Sequence, residues 1–347
     1  MDTSEAHYVS VLKKKYSNPV TLSTYLKRMK SIRETLDGAE IHDILIDPET
    51  YYPQLQKAYP SITTRKNLLT LILALFREDD ELGKKNVAAA DLWRKKHTDL
   101  TRLEQAKVRR SEPDEKQVEK YTSFEEITKK YEDLKTRGHH DTQRHSLQFL
   151  LLSVLVHLRP KRADLGAIKV YKEKDPRIND ENYIVLRSKG GSYLVMNLYK
   201  TSKYYRTVEE DISEGLQRDI ETSLRRYPRD YLFVKDDGDP MSNNTYSVFV
   251  KKTFEEFFGR ATGVSLLRHI YITEKLNFDD MTLEEKDTEA KLMLHTSGLQ
   301  QRYKWPKKTL CPKLCAAYIP PCHKTRKNKR KRSTRTNANL NTIELVE

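Results

Sequence analysis

Cysteine is scarce in this chain: only Cys311, Cys315 and Cys322 occur, all close together near the C-terminal end. That argues against a disulfide framework and for a reducing compartment. No apolar run reaches the roughly 18 residues of a membrane-spanning helix, so no span is expected. No basic-plus-apolar leader opens the sequence, so secretion is not expected either. The acidic run Asp236-Asp237-Gly238-Asp239 lacks the ligand spacing of a calcium loop and reads as a tight turn. Cys311, Cys315, Cys322 and His323 are soft ligands, but adjacent Cys322 and His323 suit a tetrahedral zinc site poorly. Neither a metal nor a cofactor is therefore expected. Acidic residues are the minority charge, 50 against 64 Lys plus Arg, which leaves a net charge of +14. Such a balance attracts a polyanion, nucleic acid ahead of an acidic membrane surface.

With 347 residues the chain has room for two domains. Residues 1–17 are polar and read as frayed. The stripe Leu22, Tyr25, Leu26, Met29, Ile32, Leu36 marks a helix over Thr21 to Leu36, with Lys27, Arg28, Lys30 and Arg33 on its other side. Tyr51 to Tyr59 reads as a proline-containing connector. Ser61 caps a second helix to about Arg77, and a third runs from Val87 to Gln105 or onward through Lys107, Arg109 and Arg110. The charged, proline-marked stretch from 108 to 123 is the expected domain boundary. Beyond it, Ser123 and Glu126 form a capping box, and the apolar run within Asp141 to Leu158 predicts a core helix. Short β-type runs at 167–171, 183–186 and 192–198, with Asn179-Asp180 and Gly190-Gly191 between them, predict a three-stranded antiparallel sheet. Ile212 to Tyr227 reads as a helix and Tyr231 to Val234 as a short strand. Ser242 and the box Thr282-x-x-Glu285 open two later helices. The fold class expected is mostly α with a small antiparallel sheet.

Gly263 to Thr273 is the stretch around which the rest is organised. Leu266, Leu267 and Ile270 give it one buried face, which Arg268 and His269 interrupt. A buried arginine needs an anionic or hydrogen-bonded partner. Together with His295 and Tyr303 it would make a phosphoryl-transfer centre: Arg268 neutralises oxygens, His295 donates a hydrogen bond, and Tyr303 attacks phosphorus. The plainer alternative is that Arg268 pairs with a buried carboxylate.

The run Ser265 to Thr273, and Met293-Leu294-His295-Thr296-Ser297 followed by Tyr303, resemble the arginine box, late histidine box and nucleophile of the tyrosine recombinases. These are the phage-integrase family of DNA breaking and rejoining enzymes, and the wording is closest to integrases of large DNA viruses and their mobile elements. Similarity runs from about Arg144 to Lys304 and is only architectural before that. It implies a helical core-binding DNA clamp over residues 1–110, a catalytic domain over 120–310 and a basic tail over 311–347.

The resemblance also implies further site residues. The family's first arginine precedes an acid by three residues. Here His157-Leu158-Arg159-Pro160-Lys161-Arg162-Ala163-Asp164 departs from that spacing. The viral form Pro-x-Arg-x-Asp favours Arg162, oriented by Asp164, with Arg159 as contender. A lysine on a hairpin of the sheet acts as general acid to the leaving 5′-oxygen. Lys200, in the context Lys200-Thr201, is the preferred candidate and Lys189 beside Gly190-Gly191 the competitor. A histidine is expected at position 265, where Ser265 stands, a poor base. His269 is either its substitute or a packed neighbour of the centre.

The implied activity is site-specific strand cleavage and rejoining through a 3′-phosphotyrosine at Tyr303, on double-stranded DNA, as a homo-tetramer holding two sites, without ATP or metal. A type IB topoisomerase would use the same chemistry alone, and a catalytically weak architectural protein would use only the basic surface. DNA contacts are expected from Lys27, Arg28, Lys30, Arg109 and Arg110. The tail Lys324, Arg326, Lys327, Lys329, Arg330, Lys331 and Arg332 adds a phosphate-binding arm or a nuclear-import signal. An intracellular location at DNA follows, in the host nucleus if the source is a virus of a eukaryote.

Overall fold

A computed structural model describes residues 3–306, apart from residues 110 and 139. The chain begins with helices α1 (Thr3–Lys15), α2 (Pro19–Thr35), α3 (Ile41–Ile46), α4 (Pro48–Ala58), α5 (Ile62–Glu78), α6 (Asp80–Lys85) and α7 (Val87–Arg109). The Ser61 hydroxyl accepts the Thr64 N–H and starts α5. That helix is apolar enough to bury Leu68, Leu69, Leu71, Ile72, Leu75 and Phe76, and α1, α2, α6 and α7 pack around it. Trp93 of α7 is fully buried, and its indole N–H donates to the Leu45 carbonyl at 2.8 Å.

Two segments differ from expectation here. Residues 3–15 are helical rather than frayed, because Tyr8 and Leu12, one turn apart, both reach the core. Residues 48–58 are a helix rather than a connector. Asp47 caps it, Pro48 occupies its first turn, where a missing N–H costs nothing, and Leu55 is buried.

The chain continues through α8 (Glu115–Glu119), α9 (Phe124–Arg137), α10 (Gln143–His157), a 3-10 turn (Ala163–Ala167), β1 (Lys169–Lys172), β2 (Tyr183–Leu186), β3 (Ser192–Met196), α11 (Ser202–Tyr205) and β4 (Val208–Ile212). It ends in α12 (Glu214–Arg226), α13 (Asn243–Phe258), α14 (Val264–Ile270) running into a π-helical turn (Tyr271–Lys275), α15 (Leu283–Leu292) and α16 (Ser297–Tyr303). The capping boxes at Ser123/Glu126 and Thr282/Glu285 are both formed. A second hydrophobic core, from Tyr121 to Trp305, is centred on α10 and shares no residue with the first, which spans Tyr8 to Leu100.

The sheet has four strands in the order β1-β2-β3-β4, not three, and is mixed. β2–β3 and β3–β4 are antiparallel, whereas β1 and β2 run parallel, with Lys169 opposite Tyr183. The fourth strand, Val208-Glu209-Glu210-Asp211-Ile212, alternates buried and exposed positions but carries three acids, which hid it. Its inward Glu210 is buried because Lys161 meets it there. Tyr231 to Val234 is not a ladder strand: it joins its neighbours through isolated bridges, Lys169 to Tyr231 and Val234 to Pro240. The protein is thus mostly helical with a small mixed sheet. No helix among the described residues is long and apolar enough to cross a membrane.

Candidate active site

Gly263 opens α14, and the face that buries Leu266, Leu267 and Ile270 also buries Arg268, which is 1% exposed. Its Nη2 donates to the Met293 carbonyl at 2.6 Å and to His295 Nδ1 at 2.8 Å, and its Nη1 donates to the Tyr303 hydroxyl at 3.3 Å. No described carboxylate forms an ion pair with it. The simple Arg268–carboxylate pair considered from sequence is therefore not what the fold builds. Burial pulls the guanidinium down to about 10, with Tyr303 opposing.

The capping box of α15 delivers the chain to the turn before α16, where Leu294 adopts a left-handed φ of 59° and His295 follows, fully buried. A guanidinium can only donate, so His295 Nδ1 is the acceptor and the neutral ring carries its proton on Nε2. Burial, then the charges of Arg268, Arg162 and Lys161, hold this imidazole down at about 3. Its Nε2 and the Nε of Arg268 are buried and have no hydrogen-bond partner among the described residues. Unmet buried donors are costly, and two lie here on hydrogen-bonded neighbours.

The Tyr303 ring lies across this pair. It stacks on His295 at 5.5 Å between centroids, and the Arg268 guanidinium sits 5.2 Å from its centre. His269 holds the backbone of the same residue: its Nδ1–H donates to the Tyr303 carbonyl at 2.8 Å. His269 in turn stacks on Trp305 at 4.4 Å, and the Trp305 backbone N–H donates to Thr273 Oγ1 at 3.1 Å. Burial brings His269 down to about 4. His269 thus packs against Tyr303 and Trp305, with its Nδ1–H committed to the Tyr303 carbonyl.

The sequence-predicted residues of the 159–164 turn divide. Arg159 is held by two carboxylates: Nη2 donates to Glu289 at 2.7 Å and Nη1 to Glu210 at 3.3 Å. Glu289 raises its basicity further. Arg162 makes no ion pair with a described residue, yet its charge acts on Asp164, Arg268 and His295. Asp164 has a buried Oδ2 without a partner among the described residues, and burial raises its pKa against the pull of Arg162 and Arg268. Lys200 and Lys189 are both exposed, the first in the turn after β3 and the second in the β2–β3 hairpin. Neither makes a hydrogen bond to Arg268, His295 or Tyr303. Thr201, beside Lys200, does donate to the Leu294 carbonyl at 3.1 Å. Ser265 is exposed, and its hydroxyl makes no side-chain hydrogen bond among the described residues.

Of the expected DNA-contact residues, Lys27 and Lys30 are exposed on α2, and Arg28 lies 5.8 Å from the centre of the Tyr25 ring. Arg109 lines an open groove with Lys66, Glu104, Gln301 and Arg302, next to Tyr303 in sequence. Arg110, the Cys/His cluster and the tail from Lys324 to Arg332 lie outside the described residues.

Sequence reasoning passed over Lys161, Glu210 and Glu289. Lys161 is 2% exposed and binds Glu210 and the Leu292 carbonyl. A signal existed: counting back three residues from Asp164, the spacing the resemblance called for, lands on Lys161.

No family model matches the chain, and no curated protein sequence matches it. Among solved structures it is similar to a XerA recombinase, at 13% identity over 92% of this chain and 100% of that one, with a TM-score of 0.37. It is similar to a lambda integrase dimer bound to a COC' core site, at 14% identity over 88% and 79% of the two chains and a TM-score of 0.45. A lambda integrase tetramer bound to a Holliday junction is similar at 16% identity, 86% and 75% coverage and a TM-score of 0.38.

Proposed function

We propose that this chain cleaves and rejoins DNA strands as a tyrosine-type site-specific recombinase. The observation that carries the reading is the Arg268–His295–Tyr303 contact set, in which two buried donors face no acceptor beside a phenol oxygen. A phosphodiester is the ligand that meets all three: its nonbridging oxygens take the arginine and imidazole N–H groups, and its phosphorus takes the phenol oxygen.

In the proposed reaction Tyr303 attacks the scissile phosphorus, forms a 3′-phosphotyrosine and expels the 5′-oxygen, which Lys200 protonates. The phenol proton passes to water, because His269 is a weak base with its Nδ1–H committed and Ser265 offers only a hydroxyl. Arg162, whose charge acts on Arg268 and His295, adds the second guanidinium. Reattack by a 5′-hydroxyl reverses the step, and since the covalent bond conserves the phosphodiester energy, neither ATP nor a metal is called for.

We assign residues 1–110 to a core-binding domain, 120–310 to the catalytic domain and 311–347 to a basic tail. Lys27, Arg28, Lys30, Arg109 and Arg110 grip duplex phosphates, and four protomers act on two sites at DNA inside the cell. Nicked suicide duplexes test the reading: they should accumulate a covalent protein–DNA adduct, and they should trap protomers in a tetramer on two-site DNA. An adduct formed without tetramers would favour relaxation by a monomer, and the absence of any adduct would leave only DNA binding.

A further inference from the structure

Three successive carbonyls, those of Leu292, Met293 and Leu294, are each gripped by a side chain from a different part of the fold. Lys161 Nζ donates to the first, Arg268 Nη2 to the second at 2.6 Å, and Thr201 Oγ1 to the third at 3.1 Å. Leu294 sits in the left-handed region at φ 59°, a conformation a branched side chain keeps only when its surroundings over-determine it. The next residue is His295.

The first of these grips comes from a buried side chain. Lys161 is enclosed in the second core, and its other partner, Glu210 of β4, is 4% exposed. Glu210 also accepts the Arg159 N–H at 3.2 Å and its Nη1, and Arg159 reaches on to Glu289 of α15. A buried lysine–glutamate pair on its own is seldom worth more than an apolar pair of the same volume. What an apolar pair cannot do is donate to the Leu292 carbonyl.

We propose that Lys161 is a positioning residue for His295: through the Leu292 carbonyl it locks the 292–294 turn, so that Nδ1 meets Arg268 and Nε2–H points to the reacting anion. What Nε2–H faces rests on the phosphoryl-transfer reading. The lock itself concerns only the turn.

Long-range proton–nitrogen NMR of the full chain labelled in histidine nitrogen reads the lock, with His295→Gln identifying the resonance. The unaltered protein should show one His295 tautomer, with bare Nδ1 and protonated Nε2. Lys161→Met with Glu210→Gln keeps the volume and leaves no unpaired charge. It should give mixed tautomers and lower single-turnover cleavage at saturating protein by about 100-fold, the cost of a small misplacement. Lys161→Arg should recover part of both. Thr201→Val, at a half-buried site, should shift both in the same direction by less and carries the test if the double variant fails to fold. A single unchanged tautomer in the folded double variant, or in Thr201→Val when the double variant does not fold, would overturn the proposal. If the unaltered protein forms no adduct, the tautomer still decides the lock, and it is the proposed reaction that fails.

Discussion

Arg268 Nη2 lies 2.8 Å from His295 Nδ1, and since a guanidinium has only donors to give, the histidine is held as a neutral ring. That relationship sets a pH dependence. His295 is held at about 3 and His269 at about 4, chiefly by burial, whereas both titrate near ~6.5 when unfolded. Between these values the unfolded chain binds protons that the folded chain refuses. Stability is therefore complete above about pH 6.5 and falls as the pH drops towards 4, by on the order of 1.4 kcal/mol per pH unit for each histidine. Urea unfolding at about pH 7 and pH 5 should show this loss, and His295→Gln should make it shallower. The same pH slope in both proteins would contradict it.

The two arginines of the 159–162 turn should separate in kind. Arg162→Ala is expected to remove about 3–4 kcal/mol of transition-state stabilisation, read as single-turnover cleavage at saturating protein. Arg159→Ala leaves Glu289 without its cation, while Glu210 keeps Lys161, so it should cost about 1–3 kcal/mol of folding stability and leave DNA affinity nearly unchanged. The sequence left Arg159 as contender for the first active-site arginine, and its two carboxylate partners favour Arg162 for that role.

Legibility followed the range of the forces involved. The capping boxes at Ser123 and Thr282, the apolar run of α10 and the stripe of α14 are local patterns, and each stood in the sequence. Strand β4 did not, since Glu209, Glu210 and Asp211 read as a solvated run until Lys161, 49 residues away, makes a buried partner for Glu210. Lys161 itself lies between Pro160 and Arg162 and looks like a surface turn. Only the tertiary fold encloses it. The parallel pairing of β1 with β2 was equally hidden, because hairpin turn signals imply antiparallel neighbours.

For the general acid, Lys200→Ala should slow cleavage of ordinary DNA and be rescued when the 5′-bridging oxygen is replaced by sulfur, since a thiolate leaves without a proton. Lys189→Ala should change either substrate little. Rescue confined to Lys189→Ala would move the role to the β2–β3 hairpin.

Removing residues 324–347 should weaken binding to any duplex and flatten the dependence of affinity on salt, since under the proposal the lysines and arginines lost there would neutralise phosphates rather than read bases. Equal salt slopes with and without those residues would assign them to import or to protein contacts.

The central claim is that the oxygen beside Arg268 is the nucleophile. Trapping the adduct on a nicked duplex, digesting both partners and sequencing the nucleotide-bearing peptide by mass spectrometry tests it directly. The account predicts a 3′-phosphoryl nucleotide on Tyr303, and none in Tyr303→Phe, which should still bind DNA. A nucleotide on any other residue, Tyr318 being the first to look for, or an adduct that survives Tyr303→Phe, would contradict it.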